Sequence, residues 1–192
     1  MRPGLADPVL DSQRVFRGVL DAMANPGRVI AIAPEGPPLP PLNGASLAIC
    51  LALMDLETPI WLDAAGRTTD VMTHLRFHCG CRIVDEPAHA RFALVVDAME
   101  MPALDRFDAG TDEYPDRSAT VIVQARTLIA GAGRRLAGPG IESEASLAAG
   151  GLAVGFWPDF RANRERFPRG VDVLLTTGGS VAALPRTTRV EG

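Results

Sequence analysis

Apolar and polar positions along the chain fall into short blocks that switch between a helical and an extended rhythm. Phe16, Val19, Leu20 and Met23 recur at the spacing of one helix face, and Asp11 stands where a cap would open that helix. Asn25, Pro26 and Gly27 end it. Residues 28–33 read as a short strand. Asn43 or Ser46 caps a second helix running to Met54, apolar nearly all round and therefore expected to be buried. Residues 58–62, 82–84 and 92–96 read as strands. Thr69 or Asp70 caps a short helix carrying Val71, Met72, Leu75 and Phe77. Further helices are expected over residues 99–107, broken near its start by Pro102, over 142–152 and over 159–166, the last opened by Pro158. Residues 120–128 are a strong strand pattern, and Gly131 to Gly133 is expected to turn the chain back into residues 134–137 as a hairpin.

The last readable stretch organises the rest. Residues 171–176 are a β-branched and leucine run of the length of a buried strand. Gly178 and Gly179 mark a tight turn, residues 181–184 return, and Pro185 ends the pairing because it has no N–H to donate. Arg186, Thr187, Thr188 and Arg189 follow as a polar, cationic tail. A hairpin placed there is expected to complete the core. Strands and helices interleave throughout, with no internal repeat and no linker between compositionally different halves. That pattern predicts a single α/β domain over residues 1–192, a three-layer α/β/α sandwich with a mixed sheet. Residues 34–42 hold five prolines in nine positions, which suits a stiff surface loop and a candidate partner contact.

Composition narrows the function classes. Apolar residues make up 47 % of the 192, enough for a sizeable core and against disorder. A net charge of −4 gives no electrostatic footprint for nucleic acid. The longest apolar run, residues 45–54, is too short to cross a bilayer, and the first residues lack the apolar core of a secretory signal. Three cysteines without a framework spacing fit a reducing cytoplasm. All 19 basic residues are arginine. The chain therefore cannot form an internal pyridoxal-phosphate aldimine on a lysine, nor supply the lysine of a phosphate-binding loop.

Candidate chemistry is sparse. His74 and His78 are i, i+4 neighbours, with Cys79 and Cys81 just beyond, and these residue types suit zinc. The ligand set lacks a second clean pair, so the expectation is no metal, with buried thiols and a capping histidine. Residues 131–140 do not match GxGxxG, since Leu136 stands at the third glycine position. The Gly138-Pro139-Gly140 segment, ahead of the expected helix, could still present free N–H groups to an anion. Ser118, Ser143, Ser146 and Ser180 lack the G-x-S-x-G context of a nucleophile. Arg161, Arg164, Arg166 and Arg169 could grip a phosphate or phosphonate, although a solvated helix face explains them better. No catalytic constellation is complete, and no cofactor is implied by the residues.

Several segments together carry a resemblance. They are Phe16-Arg17 with Ala22-Met23 and Pro26-Gly27, TPIWL at 58–62, LRFH at 75–78, YPDRSATVI at 114–122, GPGI at 138–141, FPRGVD at 167–172 and LPRTTRV at 184–190. In order and spacing they resemble the PhnH family, the H subunit of bacterial carbon–phosphorus lyase, over nearly the whole chain. The resemblance implies a fold similar to the large domain of pyridoxal-phosphate-dependent transferases, without the cofactor. It implies a homodimer in isolation and assembly with the G, I and J subunits. It also implies a required, non-catalytic part, together with the L subunit, in joining a phosphonate to the ribose triphosphate of ATP. The alternatives are a stand-alone enzyme or binding protein with an arginine-lined phosphonate or nucleotide site, and a ligand-free scaffold dimer. Arg186, Arg189, Arg161 and Arg164 are the expected interface or anion contacts. The competing reading for Arg186 is a core role, paired with an internal carboxylate.

Overall fold

The computed structural model describes residues 3–33 and 39–191. The first helix, α1 (Pro8–Ala24), is capped by Asp7, whose carboxylate accepts the N–H groups of Val9 and Leu10, with Pro8 at the first helical position. Asp11, the expected cap, instead lies inside the first turn. There it is buried, accepts the Asp7 N–H and pairs with Arg14. The buried face is also rotated from the expected one. Val15, Val19 and Ala22 enter the core, whereas Phe16 and Leu20 are 48 % and 50 % exposed. The strand read at 28–33 shrinks to β1 (Ile30–Ala31). Of the proline-rich stretch, residues 34–38 lie outside the described residues; Leu39 and Leu42, which bridge each other, are buried.

Helix α2 (Gly44–Leu53) is capped by Asn43, which accepts the Ser46 N–H, and runs into β2 (Ile60–Leu62). Thr68, one residue before Thr69, the nearer of the two expected caps, opens α3 (Thr69–His78) by accepting the Val71 N–H. Strands β3 (Ile83–Val84), β4 (Phe92–Val95) and β5 (Thr120–Gln124) follow. Between β4 and β5, the helix expected over residues 99–107 is only a 3-10 turn, Leu104–Arg106. Pro102 removes a backbone donor that a longer helix would need.

The strand pattern at 120–128 divides after Gln124. β6 (Thr127–Ala137) belongs to a second sheet with β7 (Ala145–Gly150). Two expectations fail here. Gly131 to Gly133 is not a hairpin turn but a bulge within β6, since both Ala130 and Arg134 face Leu147. Residues 142–152 are not helical, because Ala145–Gly150 pairs along β6 instead, and alanine and leucine do not resist that. Helix α4 (Phe156–Glu165) starts ahead of Pro158 and buries Phe156, Phe160 and Asn163. The closing hairpin forms as the sequence indicated, with β8 (Asp172–Thr177) and β9 (Ser180–Leu184) joined by Gly178 and Gly179. The tail continues into β10 (Arg189–Glu191), paired with β6.

The large sheet has the order β1-β9-β8-β5-β4-β2-β3, with β8 through β3 mutually parallel and β9 antiparallel to both of its neighbours, β8 and β1. It is a mixed sheet in an α/β fold with four helices among the described residues. Successive residues of the central strands serve opposite faces. Leu94, Ile122, Leu174 and Ala183 pack with α1, α2 and α3. Ala93, Val95, Val121, Val123, Val173, Leu175 and Leu184 pack with Phe156 and Phe160 of α4, Leu136 and Leu147 of the small sheet, and Val190 of β10. Burying β8 and β9 on both faces is why their sequence reads as a continuous apolar run rather than an alternating one.

Candidate functional site

The two ends of the parallel strands are built differently. Open α/β sheets bind ligands at the carboxyl ends of their strands, at the point where the chain changes direction across the sheet. In this fold that point lies between β2 and β4, because the chain passes from β2 to β3 on one side and then to β4 on the other. Asp63, the residue after β2, fills it. Its carboxylate accepts the Gly66 N–H at 2.7 Å and the Val96 and Asp97 N–H groups at 2.9 and 2.8 Å, and the residue is buried. The donors that would cradle an anion there already serve an internal one.

The adjoining carboxyl ends of β5 and β8 are closed in the same way. Gln124 accepts the Asn43 N–H and donates to the Pro41 carbonyl. Asn43 Nδ2 donates to Thr176 Oγ1, and the Ser46 and Thr176 hydroxyls are 2.7 Å apart. This satisfied network locks the start of α2 to the sheet.

At the amino ends, three of the sequence segments singled out above are tied together by one side chain. Arg186 donates from Nε and Nη2 to the two carboxylate oxygens of Asp172, at 3.2 and 2.6 Å, and its own N–H also meets Asp172 at 2.7 Å. Nη1 donates to the Pro115 carbonyl at 2.6 Å. LPRTT, FPRGVD and YPDRS are thereby joined. The arginine and aspartate side chains are only 14 % and 15 % exposed. Of the two roles open to Arg186, the structure thus provides the internal carboxylate.

The remaining predicted contacts lie around this clasp. Arg164 donates to the Thr187 carbonyl and stacks over Phe167, 5.3 Å from the ring centre. Arg117 stacks over Tyr114 at 4.0 Å, and Arg91 donates to the Arg117 carbonyl. Arg169 pairs with Asp112. Arg161 is exposed on α4, and Arg189 is exposed where β10 begins. Among the described residues, arginines 161, 164, 166 and 169 do not together line the clefts beside α4 and β6. Only Arg166 lines the neighbouring cleft of about 470 Å³, with Asp105, Asp159 and Asn163. Asp172, Asp63 and Asn163 were not foreseen. The signal for Asp172 was a carboxylate opening a strand otherwise apolar enough to be buried. Asn163 grips both the N–H and the carbonyl of Val171, and no sequence pattern marks it.

The histidine and cysteine cluster is partly assembled. The His74 and His78 rings lie tilted at 47° to each other with centroids 4.3 Å apart, and the Cys79 thiol donates to the Cys50 carbonyl. Among the described residues no group of three or more His, Cys, Asp or Glu is arranged to hold a metal ion. Ser118 and Thr188 bury hydroxyls without a hydrogen-bond partner among the described residues.

Residues 3–191 match the family model described as bacterial phosphonate metabolism protein (PhnH). The chain belongs to the PhnH family. It is 39 % identical to the PhnH subunit of α-D-ribose 1-methylphosphonate 5-triphosphate synthase from Rhizobium meliloti (strain 1021), over 97 % of this chain and 93 % of that one. It is 32 % identical to HtxG of Stutzerimonas stutzeri, provisionally named a C-P lyase subunit, over 93 % of this chain and 85 % of the relative. In this PhnH-family chain the LPRTT and FPRGVD segments have an architectural explanation: they supply the arginine and the carboxylate of one buried pair. No helix among the described residues is long and apolar enough to cross a membrane.

Proposed function

We propose that this PhnH-family chain is a required, non-catalytic subunit of a bacterial carbon–phosphorus lyase system. It acts with the G, I, J and L components in the transferase step that joins a phosphonate to the ribose triphosphate of ATP, ahead of the lyase step. The observation that carries the reading is the family match over residues 3–191. The closed carboxyl edge supports the non-catalytic part. Asp63 and the Gln124–Asn43 network consume the groups that such sheets offer to ligands. We take the chain to be one domain, a three-layer build akin to the large domain of pyridoxal-phosphate-dependent transferases, in which that closed edge replaces the cofactor site. Cytoplasmic location and a homodimer in isolation belong to the same reading.

Arg161, Arg164 and Arg189, with the arginine-stacked rings of Tyr114 and Phe167, are the proposed contacts to other subunits. Such rings and planar cations are enriched at interfaces, the rings for their large apolar area and arginine for its bidentate hydrogen bonding and stacking. Arg186 orders this surface from within. The test is co-expression with the other core subunits. The chain should co-purify with them, and adenine release from ATP and methylphosphonate should vanish when it is omitted. Full activity without it would refute the proposal. Titration calorimetry of the isolated chain with ATP and with methylphosphonate addresses the stand-alone alternative, for which heat of saturable binding is the signature.

A further inference from the structure

The cleft of about 470 Å³ between α4 and the 3-10 turn Leu104–Arg106 gathers charges that the amino-edge clasp does not use. Asp159 and Arg166 stand seven residues apart along α4 and its C-cap, so they share one face with their Cα atoms about 10 Å apart along the axis. Asp105 enters the same cleft from the turn. Among the described residues, neither carboxylate nor the guanidinium has an ion-pair or side-chain hydrogen-bond partner. Arg166 thereby differs from the arginines around it. Arg164 is spent on the Thr187 carbonyl, Arg169 on Asp112 and Arg186 on Asp172. Asp105 is exposed, and Asp159 and Arg166 are half-buried, so a ligand reaches all three from solvent.

The rest of the lining is apolar and small. Leu104 is buried behind the cleft, and Ala103 and Ala162 present only methyl groups. Asn163 is spent on the N–H and the carbonyl of Val171, which fixes α4 against the chain entering β8. Gly170 makes room for that grip, since a Cβ there would lie 2.9 Å from Asn163 Oδ1. The cleft is thus a held shape with negative and positive groups and an apolar wall. Two carboxylates without a third ligand do not make a metal site. An ammonium suits them, because its three N–H donors can serve both. The guanidinium fork takes an oxyanion through two parallel hydrogen bonds.

We propose that this cleft binds a short ω-amino oxyanion. Its ammonium sits on Asp105 and Asp159, its phosphonate or carboxylate on Arg166, and its methylene chain along Leu104, Ala103 and Ala162. Helical Cβ atoms tilt toward the amino end, so the span left to a ligand is shorter than the Cα separation and fits a chain of about three carbons. A lone amine or a lone oxyanion meets only half of these groups. Each charge-assisted contact is worth about tenfold or more in affinity, so the zwitterion outbinds either half.

Isothermal titration of the isolated full chain, at low salt and without phosphate, uses 3-aminopropylphosphonate as the probe. Saturable binding is expected, about tenfold or more tighter than for propylphosphonate or propylamine. γ-Aminobutyrate offers a carboxylate at a similar spacing, and the tighter of the two zwitterions identifies the oxyanion that the cleft serves. Arg166→Ala should abolish binding of both. Asp105→Asn combined with Asp159→Asn should bring 3-aminopropylphosphonate down to the level of propylphosphonate. No saturable binding of either zwitterion would overturn the proposal, as would equal binding of propylphosphonate or binding retained in Arg166→Ala. A urea midpoint shows whether each variant is folded. Should one fail to fold, the ranking of the zwitterion over its two halves in the unsubstituted protein decides alone. The outcome is independent of the subunit role, because no other subunit is present.

Discussion

Arg186 holds Asp172 with two guanidinium nitrogens and Pro115 with the third, in a setting where both charged side chains are largely desolvated. Removing one member leaves the other charge buried and unpaired, which costs about 3 kcal/mol. Arg186→Ala or Asp172→Asn is therefore expected to lower the urea midpoint markedly in the isolated chain, at an unchanged denaturant slope. A midpoint equal to that of the parent protein would show that the pair is decorative. Asp63 presents a parallel case with backbone partners. Asp63→Ala strips the acceptor from three N–H groups, and about 2–4 kcal/mol of stability should be lost by thermal or urea unfolding. Adding millimolar phosphate to that variant is a useful control, because an anion entering the vacated place would restore part of the loss.

Among elements, α1 shows how a helix can carry two apolar stripes and bury the less obvious one. Val15 and Ala22 are fully buried while Phe16 stays half exposed. Val15→Ala should cost about 1–2 kcal/mol, and Phe16→Ala under about 0.5 kcal/mol in the free chain. The opposite ranking by denaturation would show that the observed face is wrong. The bulge in β6 gives a second comparison. Gly133 sits at φ +80°, with the place of a Cβ only 2.6 Å from Ala148 Cα and 2.7 Å from the Leu147 carbonyl oxygen. Gly133→Ala is accordingly expected to destabilise the β6–β7 pairing, seen as faster amide exchange in Ala145–Gly150. Gly131 has no atoms in that position, so at Gly131 only the backbone strain of φ +77° opposes the same change.

At the scale of the molecule, the sheet has one edge sealed by its own polar groups and one edge clasped by an ion pair. Under the function proposed above, both arrangements serve a scaffold. The absence of lysine in the 192 residues adds a chemical boundary. Incubation with pyridoxal phosphate followed by borohydride should leave no reduced adduct on any side chain, with an adduct at the Met1 amino group set aside. A stable side-chain adduct located by peptide mapping would break the comparison with a transferase fold that lacks its cofactor.

The apolar runs of β4, β5, β8 and β9 were legible as buried strands because a strand covered on both faces has no polar position to hide. The glycine pair after Thr177 was legible as a turn for an equally local reason. Polar caps at Asn43 and near Thr69 were readable to within a residue, since a helix start needs an oxygen close in sequence. Tertiary structure decided the rest. Ala145–Gly150 is a strand only because β6 lies beside it, and its small side chains would accept either conformation. Gly131 to Gly133 became a bulge because the strand beyond it finds the same partner again. Asp172 and Arg186 are fourteen residues apart, and Pro115 is far from both, so no local signal could join them. Local chemistry determined which segments could be helix or strand. Pairing between distant segments chose among the options wherever the local preferences were close to equal.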